Sequence, residues 1–194
     1  MSEHSDTRPL APAPVRIDMH IGGKVRSVSY EQAFVIAFAL VDRKKHEHAA
    51  RLFERLEQFT DRGPRAFIMQ AFCEAAASHF DNCSKPLAAI FQGDDQSLAS
   101  ELHNAFISYH VGIRLESIAA LTELVNHNRE LPTVCLLLGD MYRTLGKFET
   151  ARKCWSLAIK RDWPNGAVAI VASLHIKGLT KKESETAQVQ AHLY

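Results

Sequence analysis

Residues 131–164 read LPTVCLLLGDMYRTLGKFETARKCWSLAIKRDWP, and this stretch decides the fold. Two segments with apolar residues at helical spacing stand in it, about 132–145 and 148–161, joined by a short link that carries Gly146. Gly139 and Ala151 are small, which lets two antiparallel helices approach closely, while Tyr142 and Trp155 are large enough to fill the wedge between neighbours. Pro164 stands where the chain must leave a helix, because it has no N–H to donate and its ring crowds the preceding turn. These spacings specify a helical hairpin.

The same pattern extends backwards. Ser29 and Gln32 read as a capping box that opens a helix bearing Phe34, Ala37, Phe38 and Val41. A second apolar-periodic segment carries Ala49, Leu52, Phe53 and Leu56 and closes before Asp61-Arg62-Gly63-Pro64. Further pairs cover about 65–78 with 84–92 and about 97–113 with 115–126. Aligned on Phe148, the equivalent residues are His46, Phe80 and Leu115, at steps of 34, 35 and 33 residues. The small position of the second helix becomes Ala49, Cys83 and Ile118, and the large one Phe53, Leu87 and Thr122, so the third copy fits least. Pro86 fits only a helix that begins at about Ser84 or Lys85, with the ring in its first turn. Self-similarity at a near-constant period means stacked hairpins.

With Leu138-Gly139, Tyr142, Gly146, Phe148, Ala151, Trp155 and Ala158 where that motif places such residues, 131–164 resembles the tetratricopeptide repeat. The resemblance implies an all-α fold: a right-handed superhelical array of about four helix hairpins over residues 29–179, plus a C-terminal capping helix. AVAIVASLHI, residues 167–176, is apolar on nearly every face and reads as a fifth first-helix docked on the fourth repeat. Thr180 and Glu183 form another capping box, so 180–194 reads as a separate capping or frayed helix. Residues 1–28 read as a flexible arm. Within it Val15, Ile17, Met19 and Ile21 alternate with polar residues before Gly22-Gly23, which fits either a small hairpin or an irregular extended lead-in.

Of the 194 residues 46% are hydrophobic and 23% charged, enough apolar surface for a folded core. The 23 Lys and Arg nearly cancel the 22 Asp and Glu, so net charge gives no pull toward nucleic acid or anionic lipid. A secretory leader pattern is missing from the N-terminus and no apolar run is long enough for a membrane span, so a cytoplasmic protein without membrane insertion is expected. Cys73, Cys83, Cys135 and Cys154 form no CxxC pair and read as reduced core thiols.

No phosphate-loop, dinucleotide, nucleophile-elbow or zinc-protease motif occurs, so neither an enzyme nor a cofactor is expected. His46 and His48 diverge on a helix, being two residues apart. His103 and His110 share a face and would make either a metal or pH-sensitive pair or the polar lining of a groove.

In tetratricopeptide arrays the first helices line an inner groove. Carried over by the alignment, that resemblance assigns peptide-binding positions to Phe34, Phe38, Ile68 and Phe72. The third and fourth copies add His103, Ile107, His110, Leu136, Asp140 and Arg143. The expected function is a protein-interaction module that takes a partner peptide in an apolar groove, with Asp140 and Arg143 fixing its direction; the same aromatic positions also suit an ordinary core. The Lys/Asn-rich set that grips a C-terminal carboxylate in some cochaperones is missing. Residues 29–80 are also similar to the translocator chaperones of bacterial type III secretion, although near-neutral charge departs from their acidic balance. The 15–21 segment and the 167–176 helix are candidate end-seals or homodimer contacts.

Overall fold

The computed structural model describes residues 15–21, 23–59, 63–128 and 131–191. Strand β1 (Arg16–Ile21) pairs antiparallel with β2 (Lys24–Ser29). The helices follow as α1 (Tyr30–Asp42), α2 (His46–Leu56), α3 (Arg65–Ala76), α4 (Phe80–Ile90) and, after a 3-10 turn at Gly93–Asp95, α5 (Gln96–His110). Then come α6 (Arg114–His127), α7 (Pro132–Thr144), α8 (Phe148–Arg161) and α9 (Ala167–Ala191). The fold is all-α in class, apart from the two-stranded hairpin. The flexible arm expected at 1–14 and the turn residue Gly22 lie outside the described residues.

Of the two readings of 15–21, the hairpin is the one formed. Ile17 and Met19 face inward and are buried, whereas Val25 on β2 is 60% exposed. Arg55 of α2 donates to the Asp18 carbonyl at 2.9 Å, and the Tyr30 N–H donates to the Val15 carbonyl at 3.2 Å. Helix α1 then opens on the expected capping box: the Gln32 N–H donates to Ser29 Oγ, and the Ser29 N–H donates to Gln32 Oε1.

One turn is repeated four times. Lys44, Ser78, Gly112 and Gly146 have φ of 58°, 64°, 105° and 72°, and each lies 34 residues from the next. The residue after each, Lys45, His79, Ile113 and Lys147, donates its N–H to a carbonyl five back, on Leu40, Glu74, Ser108 and Tyr142, at 2.8–3.0 Å. This left-handed closure satisfies carbonyls that a helix end otherwise leaves open. Two of the four positions use residues with a Cβ, so the hairpin geometry overrides local preference there.

The turn corrects the sequence alignment. Helix α6 begins at Arg114, not Leu115, and the steps are 34 throughout. The third hairpin's small position is therefore Ser117 rather than Ile118, and its large one is Leu121 rather than Thr122. In this register Ala37, Ala71, Ala105 and Gly139 recur on the first helices, facing Ala49, Cys83, Ser117 and Ala151 on the second. Phe53, Leu87, Leu121 and Trp155 recur as fully buried large residues. A Cβ on Gly139 would run into the Trp155 indole, so the largest wedge is matched to the residue without a side chain. The Ser117 hydroxyl, buried in a seat that is apolar in two of the other copies, donates to the Ala105 carbonyl at 2.7 Å.

Two expectations fail. Helix α4 begins at Phe80, so Pro86 is its seventh residue rather than in the first turn, and the Asn82 carbonyl has no proline N–H to accept. The helix continues because Cys83, Pro86 and Leu87 are buried together on its inner face. Thr180 opens no new helix: it lies within α9, and its hydroxyl donates to the Ile176 carbonyl at 3.1 Å, as a threonine in a helix interior does.

Each second helix packs on the next first helix, and α3 touches both α5 and α7. Helix α9 packs on α7 and α8 and reaches back to α1, so the succession of hairpins closes on itself. Arg65 at the start of α3 donates through Nε and Nη2 to Asp162 Oδ1 at 2.9 and 2.7 Å, with the pair buried and the guanidinium 3.5 Å over the Trp163 ring. Asp162 Oδ2 accepts the Ala169 N–H at 2.9 Å, which fixes the start of α9. Cys73, Cys83 and Cys135 are buried and Cys154 half-buried, all free; burial pushes the Cys83 thiol up to about 12 and Cys154 to about 11.

Candidate functional site

The residues expected to line an inner groove are mostly core. Phe34, Ile68 and Leu136 are fully buried, and Phe38 and Phe72 nearly so. Phe34 packs edge-on against Phe53 at 5.1 Å between ring centres, and Phe72 against Phe106 at 5.6 Å. Helix α9 closes onto α1 and α7 and sets His175 against Phe38. In the corrected register the third-copy equivalents of Phe34 and Phe38 are Leu102 and Phe106, both buried, rather than His103 and Ile107. His103 and Ile107 are half-buried beside them.

Asp140 and Arg143 are paired within the protein. Asp140 Oδ1 bonds His175 Nδ1 at 2.8 Å, Asp42 Oδ2 lies 3.4 Å from His175 Nε2, and Arg143 donates to Asp42 at 3.1 Å. The His175 ring stands edge-on to Phe38 and Trp155, at 5.4 and 5.1 Å. Burial opposes a charge on this imidazole, yet bonds and charges from the two carboxylates outweigh it and raise its pKa to about 9. Two cations and two anions thus cancel in a latch that joins α1, α7 and α9.

His110 behaves oppositely. Its ring packs on Phe72 at 4.8 Å, with His46 at 6.5 Å, and burial aided by His46 and Arg114 pushes its pKa down to about 4. His103 Nδ1 and His110 Nε2 are buried without a hydrogen-bond partner among the described residues. No three His, Cys, Asp or Glu side chains gather as potential metal ligands among the described residues.

An open trough runs along the third hairpin, between α5 and α6. Its volume is about 590 Å³. The buried floor is Leu98, Ala105, Ser117 and Leu124, while Glu101, Glu116, Ala120 and Glu123 stand exposed along it. Ser108 and Ala120 stand on its two walls where the fourth hairpin carries Tyr142 and Cys154, and these shorter side chains leave the trough open above the close contact of Ser117 with the Ala105 backbone. At the open end of the hairpin it meets a second cavity of about 570 Å³ that shares Asp95, Leu98, His127 and Asn128 and adds Ile90, Phe91 and Leu131. No Lys or Arg lines either cavity among the described residues.

The turn at the other end of this hairpin is also unlike its counterparts. Val111, Ile113 and Leu115 are 55%, 50% and 64% exposed. At the positions of Ile113 and Leu115 the other hairpins carry Lys45, His79 and Lys147, and Glu47, Asp81 and Glu149. Sequence reasoning missed this site because the misplaced register made the third copy look merely irregular. Two signals were there to find: the apolar VGIRL turn, and a single basic side chain, Arg114, between Lys85 and Arg129.

Among the described residues no helix is long and apolar enough to cross a membrane. No family model, curated protein or solved structure matches this chain.

Proposed function

We propose that this chain is a protein-interaction module: a right-handed, tetratricopeptide-like array of four hairpins, with α9 as its closing helix, that receives a segment of a partner protein. The observation that carries the reading is the trough on the third hairpin, open and apolar-floored in a molecule whose inner face is otherwise occupied by its own side chains. A module of this kind needs a rigid frame and one unfilled surface, and the repeated turn with the His175 and Arg65 ion pairs provides the frame. The absence of a local motif for phosphate, nucleotide or acyl chemistry favours binding over catalysis. The chaperone likeness over residues 29–80 is a special case of the same proposal, in which the partner segment belongs to an export substrate.

The test is selection from an unbiased displayed-peptide library, with bound segments mapped by amide hydrogen exchange. Enriched peptides should bind one to one and slow exchange along α5 and α6. A library that yields no enrichment over an unrelated control protein overturns the proposal.

A further inference from the structure

We propose that the trough of the third hairpin docks a Lys- or Arg-rich amphipathic segment of another protein. The inference rests on the interaction-module reading and adds the chemistry of the partner. Charge decides it. Residues 93–128 carry Asp94, Asp95, Glu101, Glu116 and Glu123 against Arg114 alone, in a chain whose charges otherwise nearly balance. Asp95, Glu101, Glu116 and Glu123 line the trough, and none of these four forms an ion pair among the described residues. Asp162 and Asp140, the carboxylates buried in the fold's own seams, are by contrast paired. Four unpaired anions beside an apolar floor repel phosphates and acidic peptides and attract cations held next to apolar side chains.

Shape agrees with that charge. The 15 residues of α5 span about 22 Å, enough for a partner helix of four turns laid along the groove. Val111 follows the trough-lining Asn104 and Ser108 at helical spacing, which places the exposed apolar turn just beyond one end of the trough. Leu131, Phe91 and Ile90 extend the floor at the other. Apolar anchors at both ends with carboxylates between them match a segment whose apolar stripe is flanked by basic residues.

The experiment uses the full chain and two labelled helical peptides of about 18 residues, one of Leu and Lys and one of Leu and Glu in the same order, read by fluorescence anisotropy. The Leu/Lys peptide should bind at least about tenfold tighter than the Leu/Glu peptide and weaken several-fold when salt is raised from about 50 to about 300 mM. Glu101→Lys with Glu123→Lys should reverse the preference while circular dichroism and melting temperature stay as in the wild type. Ala120→Arg, also on the exposed wall, is the second variant should that pair fail to fold. Equal binding of the two peptides, or affinity for Leu/Lys unchanged by charge reversal, overturns the inference. So does a concentration-dependent dimer in which the trough is protected from exchange, since a second copy is then the occupant. Library peptides of acidic or neutral character that map to the trough would sink the charge assignment and leave the interaction module standing.

Discussion

The seam where α9 meets α1 and α7 and the trough of the third hairpin use the same kinds of side chain in opposite ways. At the seam Asp42, Asp140, Arg143 and His175 neutralise one another across three helices. Along the trough Asp95, Glu101, Glu116 and Glu123 are exposed and form no ion pair among the described residues. The hairpins themselves share one turn and one period. What differs is side-chain length between the paired helices: the fourth hairpin carries Tyr142 and Cys154 where the third has Ser108 and Ala120, whose short side chains leave the trough open. Charges that meet inside the fold hold it together; those that meet nothing are free to recognise something else.

The largest effect that can break this contrast is at the buried ion pair. Asp162→Ala removes the carboxylate that pairs with the buried Arg65 guanidinium and should cost about 3–5 kcal/mol, read as a lowered denaturation midpoint. Glu101→Ala with Glu123→Ala should stay within about 0.5 kcal/mol of wild type. If the trough pair costs as much as the buried one, the carboxylates are structural and the contrast fails.

Filling is the next comparison. Gly139→Ala pushes a methyl group into the Trp155 ring and should destabilise by about 1–3 kcal/mol. Ala120→Leu, on the exposed wall of the trough, should change stability little and reduce Leu/Lys peptide binding. Equal melting temperatures for the two variants would mean that the fourth hairpin is not tightly packed.

Titration sharpens the same comparison. His175 has a folded pKa of about 9, above the ordinary imidazole value, so its stabilisation is complete below about pH 6.5 and is lost as pH rises through 9. The loss should be on the order of 3 kcal/mol and should vanish in His175→Gln, measured by urea denaturation across that window. His110, depressed to about 4, gives an acid limb of opposite sign: its contribution is present above about pH 6.5 and is lost as pH falls toward 4. The smallest expected change is Ile113→Lys with Leu115→Glu, which gives the third turn the polar character of the others. Stability should move by no more than about 0.5 kcal/mol while the Leu/Lys peptide binds several-fold more weakly.

Helical spacing around Leu138, Tyr142, Ala151 and Trp155 was enough to read the hairpins, because burying an apolar stripe constrains local sequence strongly. The third copy was misread by one residue, since Leu115 mimics the apolar Phe148 and Phe80 while the structural equivalent is the exposed Arg114. That slip moved the expected site from Leu102 and Phe106 to His103 and Ile107. The burial of Phe38 was not legible from its own neighbourhood. It depends on α9, more than 120 residues downstream, turning back onto α1. Pairings such as Asp42 with His175 leave no local spacing to recognise. The trough is a void, and a void is written only as the coincidence of several short side chains.

The return of α9 to α1 fixes the copy number of this molecule. An open stack of hairpins tolerates gain or loss of a unit, because each unit answers only to its neighbours. Here one duplicated unit of 34 residues would carry His175 out of reach of Asp42, exposing Phe38 and undoing the latch. Growth by duplication, the ordinary history of such stacks, is therefore closed to this chain unless its first and last helices are redesigned together.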